Sequence, residues 1–129
     1  MVSFPRSLPV AIVCLSALAL AGCPPPIVQY STADDFARAI FRIADEGSPT
    51  EWGTLLTAAR RKQGRVYIVD HFERWQRLIL EVKQSAFGGN LAIAKFRIND
   101  GALEFETEDK WVHIFRVEME DGGWKINQD

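Results

Sequence analysis

The hydrophobic pattern of this chain changes period at Gly88-Gly89-Asn90. Before that point apolar residues return every three or four positions, and after it they return at every second position. These are the repeats of an amphipathic helix and of a half-buried strand. Helices therefore come first and strands last. Asn99-Asp100-Gly101 and Asp121-Gly122-Gly123 interrupt the second part with sequences suited to tight reversals. Helices followed by an antiparallel meander make an α+β domain, with the helices packed against one face of the sheet. The expectation is three helices and about four strands.

The first helix is expected over 32–45, where Phe36, Ala37, Ile40, Ile43 and Ala44 fall on one face. Ser31 or Thr32 can cap it, with Asp34 or Asp35 in its first turn. A second start stands at Ser48-Pro49-Thr50-Glu51: a capping serine, proline at the first helical position and an acid at the third. Trp52, Leu55, Leu56 and Ala59 would form its apolar face, with Gly64 after its end. A third helix is expected from near Asp70, with Glu73 three residues on and Phe72, Trp75, Leu78, Ile79 and Val82 recurring at helical spacing. In that reading Asp70 is a cap and His71 an exposed first-turn residue. Val66-Tyr67-Ile68-Val69 fits either a short strand or an early turn of this helix.

Strands are expected over 91–98 and 102–107. A longer third strand places Trp111, His113, Phe115, Val117 and Met119 on one side and Val112, Ile114, Arg116, Glu118 and Glu120 on the other. A fourth runs over 124–127.

The front of the chain obeys a different rule. Arg6 is followed by an uncharged run in which residues 10–21 are apolar or small, about a dozen and within the 7–15 of a secretory leader. A membrane span needs roughly 20 such residues, which this run approaches only by including Pro5 and Pro9. Its end, Leu20-Ala21-Gly22-Cys23, resembles the bacterial lipobox: a branched apolar residue, two small residues and a cysteine. The resemblance implies a diacylglycerol on the Cys23 thiol, cleavage before Cys23 and a further acyl chain on the freed amine. Residues 1–22 would then be a lipoprotein signal peptide. Two or more acyl chains give stable anchoring where one does not. Pro24, Pro25 and Pro26 favour extended polyproline II, so 23–30 reads as a lipidated cysteine on a short stiff tether. A single domain occupies 31–129, a usual size for one core. Cys14 leaves with the leader and Cys23 is acylated, so the domain is expected to hold without a disulfide.

The order of helices and strands resembles the nuclear transport factor 2-like superfamily. The ending Val117-Glu118-Met119-Glu120-Asp121-Gly122-Gly123-Trp124-Lys125-Ile126 is similar to the final hairpin of many of its lipobox-bearing envelope members. The resemblance implies a curved sheet wrapped on the helices as a cone, with or without a pocket. Some relatives, the ketosteroid isomerase-like enzymes, place an acid–base pair inside that cone. The candidates here are Asp70, His71 and His113. His113, in line with Trp111 and Phe115, would be a general base if its face lined a pocket; otherwise it is a histidine at the edge of the core. His113, Trp111 and Trp75 are the candidate pocket residues.

Other chemistries lack their residues. The sequence has no histidine or cysteine pair at metal-ligand spacing, no glycine-rich phosphate loop after a strand and no Gly-x-Ser-x-Gly elbow. With 15 basic and 17 acidic residues it carries no nucleic-acid footprint. The basic run Arg60-Arg61-Lys62 reads as a solvated helix end or as a contact for anionic lipid. Trp52, Trp75, Trp111 and Trp124 read as core anchors. The expected function is a lipid-anchored envelope domain, non-enzymatic and without a cofactor, that serves as an accessory or binding module for an envelope partner. The alternatives are a pocket for a small apolar ligand and an isomerase- or lyase-type enzyme using His113.

Overall fold

The computed structural model describes residues 28–129. The expected leader, lipobox, Cys23 and prolines lie outside the described residues. Helix α1, Ala33–Glu46, begins where expected: Thr32 Oγ1 accepts from the Asp35 amide at 3.1 Å, and Asp34 and Asp35 occupy the first turn. It buries more than one stripe. Phe41 joins Phe36, Ile40 and Ile43 in the core because α1 packs on both a later helix and the sheet.

Ser48 caps α2, Pro49–Gly53, as its sequence implies, with Oγ accepting from the Glu51 amide at 3.3 Å. The helix then stops. The Ile126 amide donates to Leu55 O at 2.7 Å and the Thr57 amide donates to Ile126 O at 3.1 Å, so Leu56 bridges Ile126 in parallel. The chain gives up helical bonds here to extend the sheet by one bridge. A four-residue helix α3, Ala58–Arg61, follows, with the Ala58 amide donating to Glu120 Oε1 at 2.9 Å. The second expected helix is thus two short ones, and Ala59 points to solvent.

Helix α4, Arg65–Phe87, begins well before Asp70, so Val66–Val69 is helical. Gly64 with φ +103° turns the chain into it. At the other end Gly88 is left-handed, and the Gly89 amide donates to Lys83 O at 3.0 Å, closing a Schellman cap. Asp70 is therefore inside the helix, exposed and 3.4 Å from Arg74, and caps nothing. His71 has no exposed surface at all, against the expectation of a solvated first-turn residue. Leu78, expected on the buried face, is 46% exposed.

The sheet is an antiparallel meander in the order β1-β2-β3-β4: β1 Phe96–Asn99, β2 Ala102–Glu106, β3 Trp111–Glu120 and β4 Gly123–Ile126. Residues 91–93, expected in the first strand, form a 3-10 turn in which the Ala92 amide donates to Asn90 Oδ1 at 3.0 Å. The two tight hairpins have positive φ at Asp100 and Gly101 and at Asp121 and Gly122, the type I′ geometry that matches strand twist.

One irregularity decides which side chains face where. Leu103 pairs with Phe115 but Glu104 pairs with His113, leaving Ile114 as an extra residue in β3. The bulge reverses the phase of the strand. Val112 packs against the core before it and Phe115 and Val117 are buried after it, while Trp111 and His113 lie on the outer face. The strict alternation that aligned His113 with Phe115 does not hold.

Between sheet and helices the space is filled by side chains. Trp52, Phe36, Phe41, Phe115, Leu55, Leu56, Ile79 and Ile126 are at or near zero exposure. Trp75 lies 4.4 Å from Phe115 and Trp52 lies 5.7 Å from Phe72, ring centre to ring centre. Each such side chain contributes about 1.5–3 kcal/mol by leaving water.

Candidate functional site

Of the expected pocket residues, His113 and Trp111 share the outer face of the sheet, while Trp75 lies on its other side. His113 is exposed on the outer face of the sheet, where it sits across from Glu104 in an open cleft of about 570 Å³. Asn99, Asp100, Arg116, Glu118 and Asn127 complete its polar lining. Glu104 accepts from Arg97 Nε at 2.7 Å, and the Arg97 guanidinium lies 4.3 Å above the Trp111 ring. Trp111 is therefore the base of a cation–π stack on the solvent side, not a core anchor. Trp75 is across the sheet, buried among the helices. Trp52 and Trp75 are the tryptophans that anchor the core; Trp124 packs against its margin.

A second polar cluster is assembled inside the protein, around His71. The residues Tyr67, His71 and Trp75 fall four apart on α4 and so share one face. Trp52 of α2 donates its indole N–H to His71 Nδ1 at 2.8 Å. An indole can only donate, so Nδ1 must carry the lone pair and Nε2 the proton. Nε2–H then donates to the Gln128 carbonyl, 2.7 Å away. Both ring nitrogens are satisfied by the neutral imidazole in one tautomer. Burial pushes the His71 pKa below its ordinary 6.5; the Gln128 carbonyl opposes this, Arg74 and Arg60 add to it, and Asp129 opposes it weakly.

The same cluster holds residues 127–129. The Trp75 indole donates to Asp129 O at 3.1 Å, the Tyr67 hydroxyl donates to Asp129 Oδ1 at 2.9 Å, and Arg60 pairs with that same carboxylate. Arg60 also reaches Asn127 Oδ1 through Nε at 3.2 Å. On the sheet side the Asn127 amide donates to Arg116 O at 2.9 Å and the Arg116 amide donates to Gln128 Oε1 at 2.8 Å. Arg60 and Arg61 are thus not a solvated helix end. Arg60 ties down the last residues, and Arg61 donates to Leu56 O beside Glu120. Lys125 is a further buried cation, donating to Thr54 O at 3.0 Å; burial, and then Arg61, lower its pKa.

Chemically, the two histidines stand in opposite conditions. His113 is open to water beside carboxylates and Arg116. His71 has no exposed surface and no unoccupied ring nitrogen, so a substrate has no approach to it. Among the described residues no cluster of three or more His, Cys, Asp or Glu side chains is placed to hold a metal ion. Among them, too, no helix is long and apolar enough to cross a membrane. Reading Asp70 as the helix start hid the His71 cluster; the i, i+4 spacing of Tyr67, His71 and Trp75 was the available signal.

At the front of the described chain, Tyr30 lies along β4, its carbonyl accepting from the Trp124 amide at 2.8 Å and its ring 6.3 Å from that of Phe36. Comparison with known protein families, with curated proteins and with solved structures finds no match.

Proposed function

We propose that this chain is a lipid-anchored bacterial envelope protein whose domain, of the nuclear transport factor 2-like type, acts as a non-enzymatic accessory or binding module. The observation that carries the reading is Leu20-Ala21-Gly22-Cys23 at the end of a dozen apolar residues. The short connection supports it. Tyr30 packs on the fold seven residues after Cys23, and a connection of that length reaches at most about 25 Å even when fully extended. The domain would sit next to the bilayer, with its partner on the same membrane or within a short reach of it. The core side chains occupy the layer between helices and sheet, and the polar outer face around Glu104, His113 and Arg116 is a surface such a partner would meet.

The test is the intact mass and fractionation of the full chain expressed in a bacterium. Loss of residues 1–22 with acyl mass on Cys23, in the membrane fraction, is expected. Cys23→Ala should keep its leader and lack the acyl mass. A wild-type protein recovered soluble with a free Cys23 thiol would overturn the reading.

A further inference from the structure

Residues 127–129 cover a histidine whose two ring contacts, taken together, require the neutral form. His71 Nδ1 accepts from Trp52 and Nε2–H donates to Gln128, so the ring needs one acceptor and one donor. Imidazolium has two donors and no acceptor. Its new Nδ1–H would point at the Trp52 indole N–H. Trp52 cannot turn aside, because it is completely buried and packed against Phe72 and Phe115. The opposite side of the ring is different. There the imidazole is covered by Gln128 and Asp129, and the Asp129 side chain is 72% exposed. A buried charge requires water or a close counter-ion, and water reaches this ring by displacing the segment.

We propose that His71 and residues 127–129 form an acid-sensitive latch: the neutral ring holds the segment against α4, and protonation releases it, uncovering Trp75 and the Arg60–Tyr67 pair. The charged and titratable groups around the ring set the balance. Arg74 on α4 and Arg60 on α3 oppose the imidazolium, while Asp129 favours it but is already shared between Arg60 and the Tyr67 hydroxyl. Tyr67 is itself held in its protonated form chiefly by burial. The α2 side contributes the uncharged Trp52.

The sign follows from linkage. The closed state binds the proton less readily than an open state with an ordinary histidine, so closure is complete above pH 6.5 and is lost as pH falls below it. Between the two midpoints the closed-to-open ratio falls about tenfold per pH unit. This device is independent of the lipid anchor.

The chain has four tryptophans, whose indole N–H signals can each be followed by nuclear magnetic resonance on the nitrogen-15-labelled full chain in mild detergent. From pH 7.5 to 4.5 the Trp52 and Trp75 signals are expected to change together with one midpoint below 6.5, while Trp111 and Trp124 stay. In His71→Gln, which keeps an acceptor and a donor, both are expected to hold still. Asp129→Ala removes the carboxylate that Arg60 and Tyr67 hold and a charge that favours the proton on the closed ring; both should raise the midpoint. A Trp52 change without a Trp75 change would mean that the ring charges beneath a closed segment, and would overturn the latch. Simultaneous change of all four signals, or no change down to pH 4.5, would overturn it as well. The wild-type titration decides even if His71→Gln fails to fold.

Discussion

Trp52→Phe tests the buried cluster at its most constrained point. The substitution keeps an aromatic ring among Phe72 and Phe115 but removes the indole N–H that His71 Nδ1 accepts at 2.8 Å. A buried acceptor left without its donor costs about 1–3 kcal/mol. The missing ring atoms leave a void at a fully buried site, adding about 1–2 kcal/mol by the usual transfer and cavity terms. The expected loss at pH 7.5 is therefore about 2–5 kcal/mol, a large share of the 5–15 kcal/mol typical of a domain. Urea unfolding of the full chain followed by far-ultraviolet circular dichroism would report it as a lower midpoint at unchanged slope. Its pH dependence is the sharper readout. Wild-type stability falls below pH 6.5 because His71 is buried neutral with its pKa lowered. The variant no longer sets an N–H against a protonated Nδ1, so it loses less on acidification and the gap between the two proteins should narrow toward pH 5. A loss under 1 kcal/mol at pH 7.5, or a gap that is constant from pH 7.5 to 5, would refute the argument.

Gly101→Val should lower the urea midpoint by the equivalent of about 1–2 kcal/mol. A Cβ there meets nothing closer than 3.9 Å, so the cost is that of forcing a branched residue to φ +74°. His113→Gln should leave stability within about 0.5 kcal/mol of wild type, because His113 is exposed on the outer sheet face. The same variant should leave any phenotype of the protein intact; loss of function at unchanged melting temperature would return His113 to the role of a base.

Much of the fold is visible in local signals. Thr32 with Asp35, Ser48 with Pro49 and Glu51, and the two Asp-Gly turns each satisfy their own backbone groups within a few residues. Elements begun or closed that way are readable because the physics is short-ranged. The misread elements are those whose bonds go elsewhere. Helix α2 ends where Leu55 and Thr57 find Ile126, a partner from the far end of the chain. Helix α4 starts from Gly64 through a backbone angle, with no side-chain cap to announce it. The 3-10 turn at 91–93 replaces the opening of the expected first strand, with Asn90 capping its first turn.

The candidate site divides in the same way. Period determined that helices precede strands and that Trp52, Trp75 and Phe115 are apolar mass for one core, and the two Asp-Gly reversals determined that the sheet is antiparallel. Run length and residue type, not period, mark the apolar stretch at the front of the chain and the four residues that end in Cys23. Tertiary structure decided the rest. A single bulged residue, Ile114, moved His113 out of line with Phe115 and onto the solvent face. A helix start earlier than Asp70 turned His71 inward, where Trp52 from one side and Gln128 from the other fix its proton. Periodicity reports which face of an element is apolar, because side-chain direction repeats along the backbone. It does not report the phase shift at a bulge or the partner waiting across a core, because those depend on backbone brought together only when the chain has folded.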